Sequence, residues 1–337
     1  MHLVVTGGAG FVGCNLVNRL LQDEHDIVVV DSLSREGSLA NLQMLLDKAG
    51  PRLTFVCADV RDAAAMTAVV REHQPDAVAH LAGQVAVTTS VADPGFDFDV
   101  NARGTLNVIE AVRTQAPAAR VLFTSTNKVY GDLAHVRKVR TETRYHMPDH
   151  PHGVDEDFPT EAATPYGCAK LTGDLYVRDY ARTFGLATTV FRMSCVYGQW
   201  QNGTVDQGWV SWLVRRTLRG DPITIFGDGL QVRDLLHVDD LVEAMLPVLL
   251  AGRGAGEVFN VGGGAAFSVS VWREFGPLLA EITGQAEPVV TYAPRRTGDQ
   301  DVYISDLGRI TSALSWHPTI SPREGVTRMV RWLHARR

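Results

Sequence analysis

Tyr166 and Lys170 stand four residues apart in "PYGCAK". On a helix that spacing puts both side chains on one face, where an ammonium beside a phenol lowers the phenol pKa from about 10 and makes a phenolate accessible near neutrality. Such a pair can take a proton from a hydroxyl, but alone it is a common coincidence on helix surfaces. It gains weight from "VVTGGAGFVG" near the start of the chain, where Gly7, Gly10 and Gly13 follow an apolar run in G-x-x-G-x-x-G spacing and Phe11 and Val12 open the next helix. Glycines there permit a tight turn and close backbone approach, so that the unpaired N–H groups of the helix face a pyrophosphate. The next apolar run, "DIVVVD", ends in Asp31. A carboxylate at that point accepts hydrogen bonds from ribose hydroxyls and repels a 2′-phosphate, which favours NAD over NADP. Arg35 lies close enough to oppose that preference, and Asp31 also fits an ordinary turn.

The elements that must position these residues alternate along the first half of the chain. "HLVVTG", "DIVVVD", "LTFVCAD", "DAVAHLAG", "ARVLFTSTN" and "LATTVFRMS" are β-rich runs separated by amphipathic stretches. That rhythm predicts an α/β fold of Rossmann type, a doubly wound parallel sheet with helices on both faces. After Arg192 the pattern loosens into short runs such as "ITIF" (223–226) and "PVVTY" (288–292), predicting a smaller mixed α/β substrate-binding domain. "GEVFNVGGG" is apolar enough to return to the main sheet. The expected division is therefore 1–192 with a late strand near 256–262 for the dinucleotide-binding domain, and 193–255 with 263–337 for the cap.

The 337 residues are 45% hydrophobic and 21% charged, enough to bury a large core. A net charge of −6 leaves no electrostatic footprint for nucleic acid. The apolar runs are too short to span a membrane, and Gly7 stands too early for a secretory leader, so a cytoplasmic protein is expected. Cys14, Cys57, Cys168 and Cys195 show no C-x-x-C spacing and read as reduced, packed thiols. His146, Asp149, His150 and His152 crowd one polar loop without helical ligand spacing, so no metal is assigned and a flap is expected instead. Arg137, Lys138, Arg140 and Arg144 of that loop either reach a diphosphate or keep it soluble. The basic end of "MVRWLHARR" suits a helix C-terminus, and Trp209 and Trp212 suit the buried face of a helix.

Taken together, "TGGAGFVG", "ADVRD", "HLAGQ", "NARGTLNV", "TSTNKVYG", "PYGCAK", "FRMSCVYG" and "VRDLLHVDD" resemble the extended short-chain dehydrogenase/reductase family, in particular its nucleotide-sugar epimerases and dehydratases, over essentially the whole chain. The resemblance implies that Thr126, Tyr166 and Lys170 hold the reacting hydroxyl, take its proton and tune the phenol. It implies that Asp59 and Val60 meet the adenine, that Leu81, Ala82 and Gly83 line the cofactor, and that Asn101 supports the active-site backbone. Ser194, Arg233 and Arg296 fall at substrate positions, with Arg295 competing for the last role; guanidinium forks suit a diphosphate. Arg233 also fits a pairing with Asp234 or Asp239, and Asp59 an ordinary helix cap. A homodimer through the Tyr166 and Asn101 helices is a further family expectation.

In the family's dehydratases the threonine is followed by Asp and Glu, an acid and a base that expel water. Here Asn127 and Lys128 follow Thr126, and neither an amide nor an ammonium of ordinary pKa serves that step. The resemblance therefore implies an epimerase with tightly held, recycled NAD acting on a nucleotide-diphosphate sugar. Within the family, "STNKVYGDL", "ETRY", "GVDE" and "DQGWVSW" are similar to the group acting at carbon 2 of a CDP-linked sugar, with a 4-epimerase of UDP- or CDP-hexoses as the alternative. A dinucleotide sensor without turnover is disfavoured, since the threonine, tyrosine and lysine are all present.

Overall fold

The computed structural model describes residues 1–335; Arg336 and Arg337, the last cations of the basic C-terminal stretch, lie outside the described residues. In chain order the strands are β1 (His2–Thr6), β2 (Asp26–Asp31), β3 (Leu53–Cys57), β4 (Ala77–His80), β5 (Arg120–Thr126), β6 (Val139–Arg140), β7 (Tyr145–His146), β8 (Thr188–Met193), β9 (Cys195–Tyr197), β10 (Ile223–Phe226), β11 (Val232–His237), β12 (Val258–Val261), β13 (Ser268–Ser270), β14 (Val290–Ala293) and β15 (Val302–Tyr303). The helices are α1 (Phe11–Gln22), α2 (Ser38–Ala49), α3 (Ala63–His73), α4 (Val87–Ala92), α5 (Pro94–Phe98), α6 (Gly104–Gln115), α7 (Pro165–Phe184), α8 (Trp209–Arg219), α9 (Val238–Ala251), α10 (Phe275–Thr283), α11 (Gly308–Leu314) and α12 (Pro322–His334).

One compact unit comprises Met1–Thr126, Pro165–Arg192 and Val242–Phe259. It is built on a seven-stranded parallel sheet of order β12-β8-β5-β4-β1-β2-β3. Its central strands are buried almost throughout because helices cover both faces, which removes the alternation of a half-exposed strand. Every residue of β4 is buried, and Val28, Val30, Val78 and Val121 share a core cluster with Val69, Ile109 and Val177. The strand order reverses between β1 and β4, the place where ligands bind beyond the carboxyl ends of such strands.

The second unit comprises Asn127–Thr164, Met193–Leu241 and the chain from Asn260 onward. Here β11 pairs with β9, β13 and β15, β10 pairs with β14, and β6 with β7 form a short antiparallel hairpin. Leu213, Val214, Ile223, Leu235, Phe275 and Met329 make its core. Trp209 and Trp212 pack against that core from α8, Trp209 meeting the edge of Phe275 at 5.1 Å. The run "PVVTY" delivers β14, shifted to Val290–Ala293.

Two stretches fall otherwise than the sequence suggests. Residues 127–164 belong to the second unit because Tyr145 N–H donates to the Leu230 carbonyl (3.2 Å) and Val154 N–H to that of Ile304 (2.8 Å). Val242–Phe259 belongs to the first, where Arg120 donates to the carbonyls of Leu249 and Leu250 at 3.0 Å. The polar loop is bonded to the rest of its own unit at Tyr145 and Val154. Arg144 pairs with Glu274 at 2.5 Å, and Arg137 with Asp149 at 3.0 Å. Among the described residues no cluster of His, Cys, Asp or Glu is arranged to hold a metal, and no helix is long and apolar enough to cross a membrane.

Candidate active site

The turn after β1 is shaped by close backbone contacts. Gly7 adopts φ +70°, and a Cβ there would stand 2.7 Å from the Ala82 nitrogen; a Cβ on Gly13 would stand 2.2 Å from the Gly7 oxygen. Gly10 caps α1 in an extended conformation without any side-chain hydrogen bond to the first turn, which Phe11, Val12 and Gly13 form. The N–H groups there are thus left for a bound anion. The Asp31 carboxylate accepts the N–H groups of Ala9 (3.1 Å) and Leu33 (2.8 Å). It thereby fastens the glycine turn to the end of β2, while keeping lone pairs for a ribose diol. Burial raises the Asp31 pKa, against the backbone N–H groups that draw it down.

On the far side of β1, Leu81 N–H bonds the Thr6 carbonyl (3.1 Å), and Gly83 approaches the Asn101 oxygen so closely that a Cβ would lie 3.0 Å from it. Asp59 is not the helix cap; Asp62 caps α3, and Asp59 is gripped by Arg61 (2.8 Å), which holds its pKa below the usual carboxylate range. The buried Val60 packs under Gly104 and lends its carbonyl to Asn107 at 2.9 Å. A turn free of side chains, an uncapped helix start and a carboxylate at the end of β2 together fit a dinucleotide.

Thr126, Tyr166 and Lys170 are all buried in the first unit, Thr126 ending β5 and the other two sharing one face of α7. The Thr126 hydroxyl hydrogen-bonds the Tyr166 oxygen. Burial pushes the Tyr166 phenol up to about 12, Thr126 and the exposed Arg35 pulling it down and Asp97 pushing it further up. Burial also pulls the Lys170 amine down to about 7, with Asp174 and Asp97 opposing. Lys170 is not among the groups that shift Tyr166, contrary to the sequence expectation. Desolvation acts on both partners and leaves the amine less charged near neutrality.

The remaining predicted residues lie in the second unit. Asn127 is buried and donates to Gln300 at 3.4 Å; Lys128 donates to the Gly298 carbonyl at 2.9 Å. Burial and then the charge of Arg233 bring Lys128 down to about 8, so it is not the ordinary ammonium the sequence suggests. Arg233 pairs with Asp299 at 2.7 Å, rather than with Asp234 or Asp239. Ser194 hydrogen-bonds Asp234. Arg296 lies over the Phe226 ring at 3.7 Å with Asp206 at 3.7 Å, whereas Arg295 is drawn toward Asp301 and Asp228. Cys195 receives the Trp209 indole N–H at 3.5 Å, and burial raises its pKa, as befits a packed thiol.

The sequence gives no sign of three further groups. His80 is buried between the Thr6 and Thr105 hydroxyls (2.7 and 3.1 Å) and is held neutral, its pKa near 3 through burial and Lys170. Asp97 and Asp174 are buried carboxylates that act on Lys170.

The chain matches the NAD dependent epimerase/dehydratase family over residues 3–262. It is 41% identical to CDP-paratose 2-epimerase of Salmonella typhi, over 98% of this chain and 99% of that protein. The crystal structure of UDP-glucose 4-epimerase from Thermotoga maritima with UDP-glucose superposes with a TM-score of 0.86 at 32% identity, covering 100% of this chain and 99% of the other. The Thermus thermophilus UDP-glucose 4-epimerase in complex with NAD gives 0.82 at 29% identity over 99% of both chains. The chain belongs to the NAD dependent epimerase/dehydratase family, and within it to the NAD-dependent nucleotide-sugar epimerases.

The denatured protein is expected to release NAD, assayed by chromatography of the supernatant; recovery of NADP alone would contradict the role of Asp31. Because Asp31 also fastens the glycine turn, Asp31→Ala should weaken NAD binding by about tenfold to a hundredfold, the scale of a lost charge-assisted hydrogen bond. Calorimetric titration of cofactor-stripped protein measures it.

Proposed function

We propose that this enzyme inverts carbon 2 of a CDP-linked sugar, with a cytoplasmic homodimer as its working form. The observation that carries the reading is the turn after β5, where Asn127 and Lys128 follow Thr126. Dehydration needs an acid there, and the Asn127 amide has no proton to give. The likeness to the Salmonella typhi CDP-paratose 2-epimerase supports the carbon and the nucleotide.

NAD held at the glycine turn supplies a hydride acceptor that becomes the donor on return, so that oxidation to a ketone and reduction from the opposite face invert the carbon. The chain manages the proton. Tyr166 takes it from the sugar hydroxyl and hands it back, Thr126 fixes the phenol and the hydroxyl, and Lys170 shares the proton balance of the pair. Asn127 and Lys128 orient sugar hydroxyls and the developing ketone through an amide and a cation. Ser194 contributes on the sugar side, and Arg233 and Arg296 meet the diphosphate.

Substrate deuterated at carbon 2 should keep its label at the inverted centre, and unlabelled substrate should gain no deuterium in heavy water. Product NMR after a screen of CDP-, UDP-, GDP- and dTDP-sugars reads both. An isotope effect confined to carbon 4 would make the enzyme a 4-epimerase, and solvent deuterium at the inverted carbon would exclude direct hydride return.

A further inference from the structure

Asp97 sits in the five-residue helix α5 with its side chain fully buried. One carboxylate oxygen, Oδ1, accepts two amide N–H groups, Gln84 Nε2 at 2.7 Å and Asn101 Nδ2 at 3.1 Å. The other oxygen, Oδ2, is buried and has no hydrogen-bond partner among the described residues. An unpartnered buried carboxylate oxygen is costly, and an apolar side chain would fill the same space without that cost.

The Asn101 amide is fixed in one sense. Its Nδ2 donates both to Asp97 and to the Gln84 carbonyl (2.9 Å), so Oδ1 must point the other way. That oxygen and the Lys170 nitrogen flank the same small space: a Cβ on Gly83 would lie 3.0 Å from Asn101 Oδ1 and 3.8 Å from Lys170 Nζ. The charged groups that face Lys170 are few. Asp174 and the phenol of Tyr166 share its helix, Asp97 faces it from α5, and His80 from β4 is neutral. Asp99 pairs with Arg103 on the turn of residues 99–103, and Glu110 pairs with Arg113 on α6. From β5 the Phe123 ring lies 4.3 Å beneath the nitrogen. Arg35 acts on Tyr166.

We propose that Asp97 is a positioning residue of the epimerase site: it clamps the Asn101 amide so that its oxygen faces Lys170, and its buried charge stabilises the Lys170 ammonium while a sugar hydroxyl gives up its proton. The assignment rests on the epimerase reading for its chemistry. Its electrostatic half is independent of any substrate. The carboxylate draws Lys170 upward in pKa, and burial keeps that field from being screened by water.

The sequence contains only four lysines, Lys48, Lys128, Lys138 and Lys170, so protein labelled with carbon-13 lysine gives a spectrum simple enough to titrate residue by residue. The experiment uses the protein with its NAD bound, and Lys170→Met identifies the Lys170 signal. Asp97→Asn keeps an acceptor oxygen for Gln84 and Asn101 but removes the charge. Its Lys170 midpoint should fall below that of the wild type, and the rising limb of kcat/KM should move to lower pH with it. Plateau kcat should drop about tenfold, since the pair becomes a weaker base. Asp97→Ala also releases the amide clamp, and kcat should drop about a hundredfold with KM little changed. An unchanged Lys170 midpoint in Asp97→Asn would overturn the proposal, as would wild-type kcat in Asp97→Ala. A wild-type protein inactive on every nucleotide sugar, together with a lowered Lys170 midpoint in Asp97→Asn, would sink the epimerase reading and uphold the coupling of Asp97 to Lys170.

Discussion

Tyr166→Phe is expected to keep its NAD and lose about a thousandfold in kcat, within the range that a positioned acid–base group contributes. The ring stays, so the packing of α7 is retained, and only the hydroxyl bonded by Thr126 is lost. The pH dependence follows from the two shifts. With Tyr166 up to about 12 and Lys170 down to about 7, the first proton the pair gives up leaves near pH 7. In the resulting state the Lys170 amine is neutral and can take up the phenol's own proton as Tyr166 receives the sugar's. Activity, followed as kcat/KM, should therefore rise with pH to a level reached above about 7, and Lys170→Met should abolish that limb. Near-normal turnover by Tyr166→Phe would refute the proton path.

Asp174→Ala is expected to cost about 3–5 kcal/mol of stability, the usual result of removing one partner of a buried ion pair. Asp174 and Arg192 are both almost wholly enclosed, with Nε to Oδ2 at 2.9 Å and a second contact at 3.2 Å. Without the carboxylate the buried Arg192 guanidinium loses its Asp174 ion pair. Urea denaturation at fixed NAD concentration measures the loss, since bound cofactor adds its own stabilisation. The double change Asp174→Leu with Arg192→Leu should recover much of it. A loss no greater than that of a surface substitution would mean that Arg192 finds another partner.

All seven strands of the main sheet were legible as apolar runs, from "HLVVTG" to "GEVFNVGGG", because strands buried on both faces cannot hide their composition. The glycine turn, Asp31 and the Thr126, Tyr166 and Lys170 set were legible too, since their chemistry depends on residue type and spacing. What escaped depends on burial. "DPGFDFDVN" holds three aspartates among polar and aromatic residues, and nothing in it marks Asp97 as enclosed while Asp93 is exposed and Asp99 half-buried. A five-residue helix followed by a wider turn has no period to betray its inner face. Lys128 was misjudged for the same reason, because its lowered pKa comes first from burial and then from Arg233, more than a hundred residues away in the chain. The grouping of 127–164 with the second unit likewise rests on backbone bonds to Leu230 and Ile304 that no local pattern announces.

The position of β12 next to β8 also bears on synthesis. Strand β8 is complete at Met193, but its outer neighbour β12 comes only at Val258–Val261. While the intervening residues are still being added at the ribosome, β8 is the sheet's open border, a strand otherwise almost wholly buried, whose free N–H and C=O groups invite pairing with another nascent chain. Truncation before residue 258 should therefore yield aggregates rather than a smaller soluble domain, and the nascent protein has reason to recruit a chaperone during that interval.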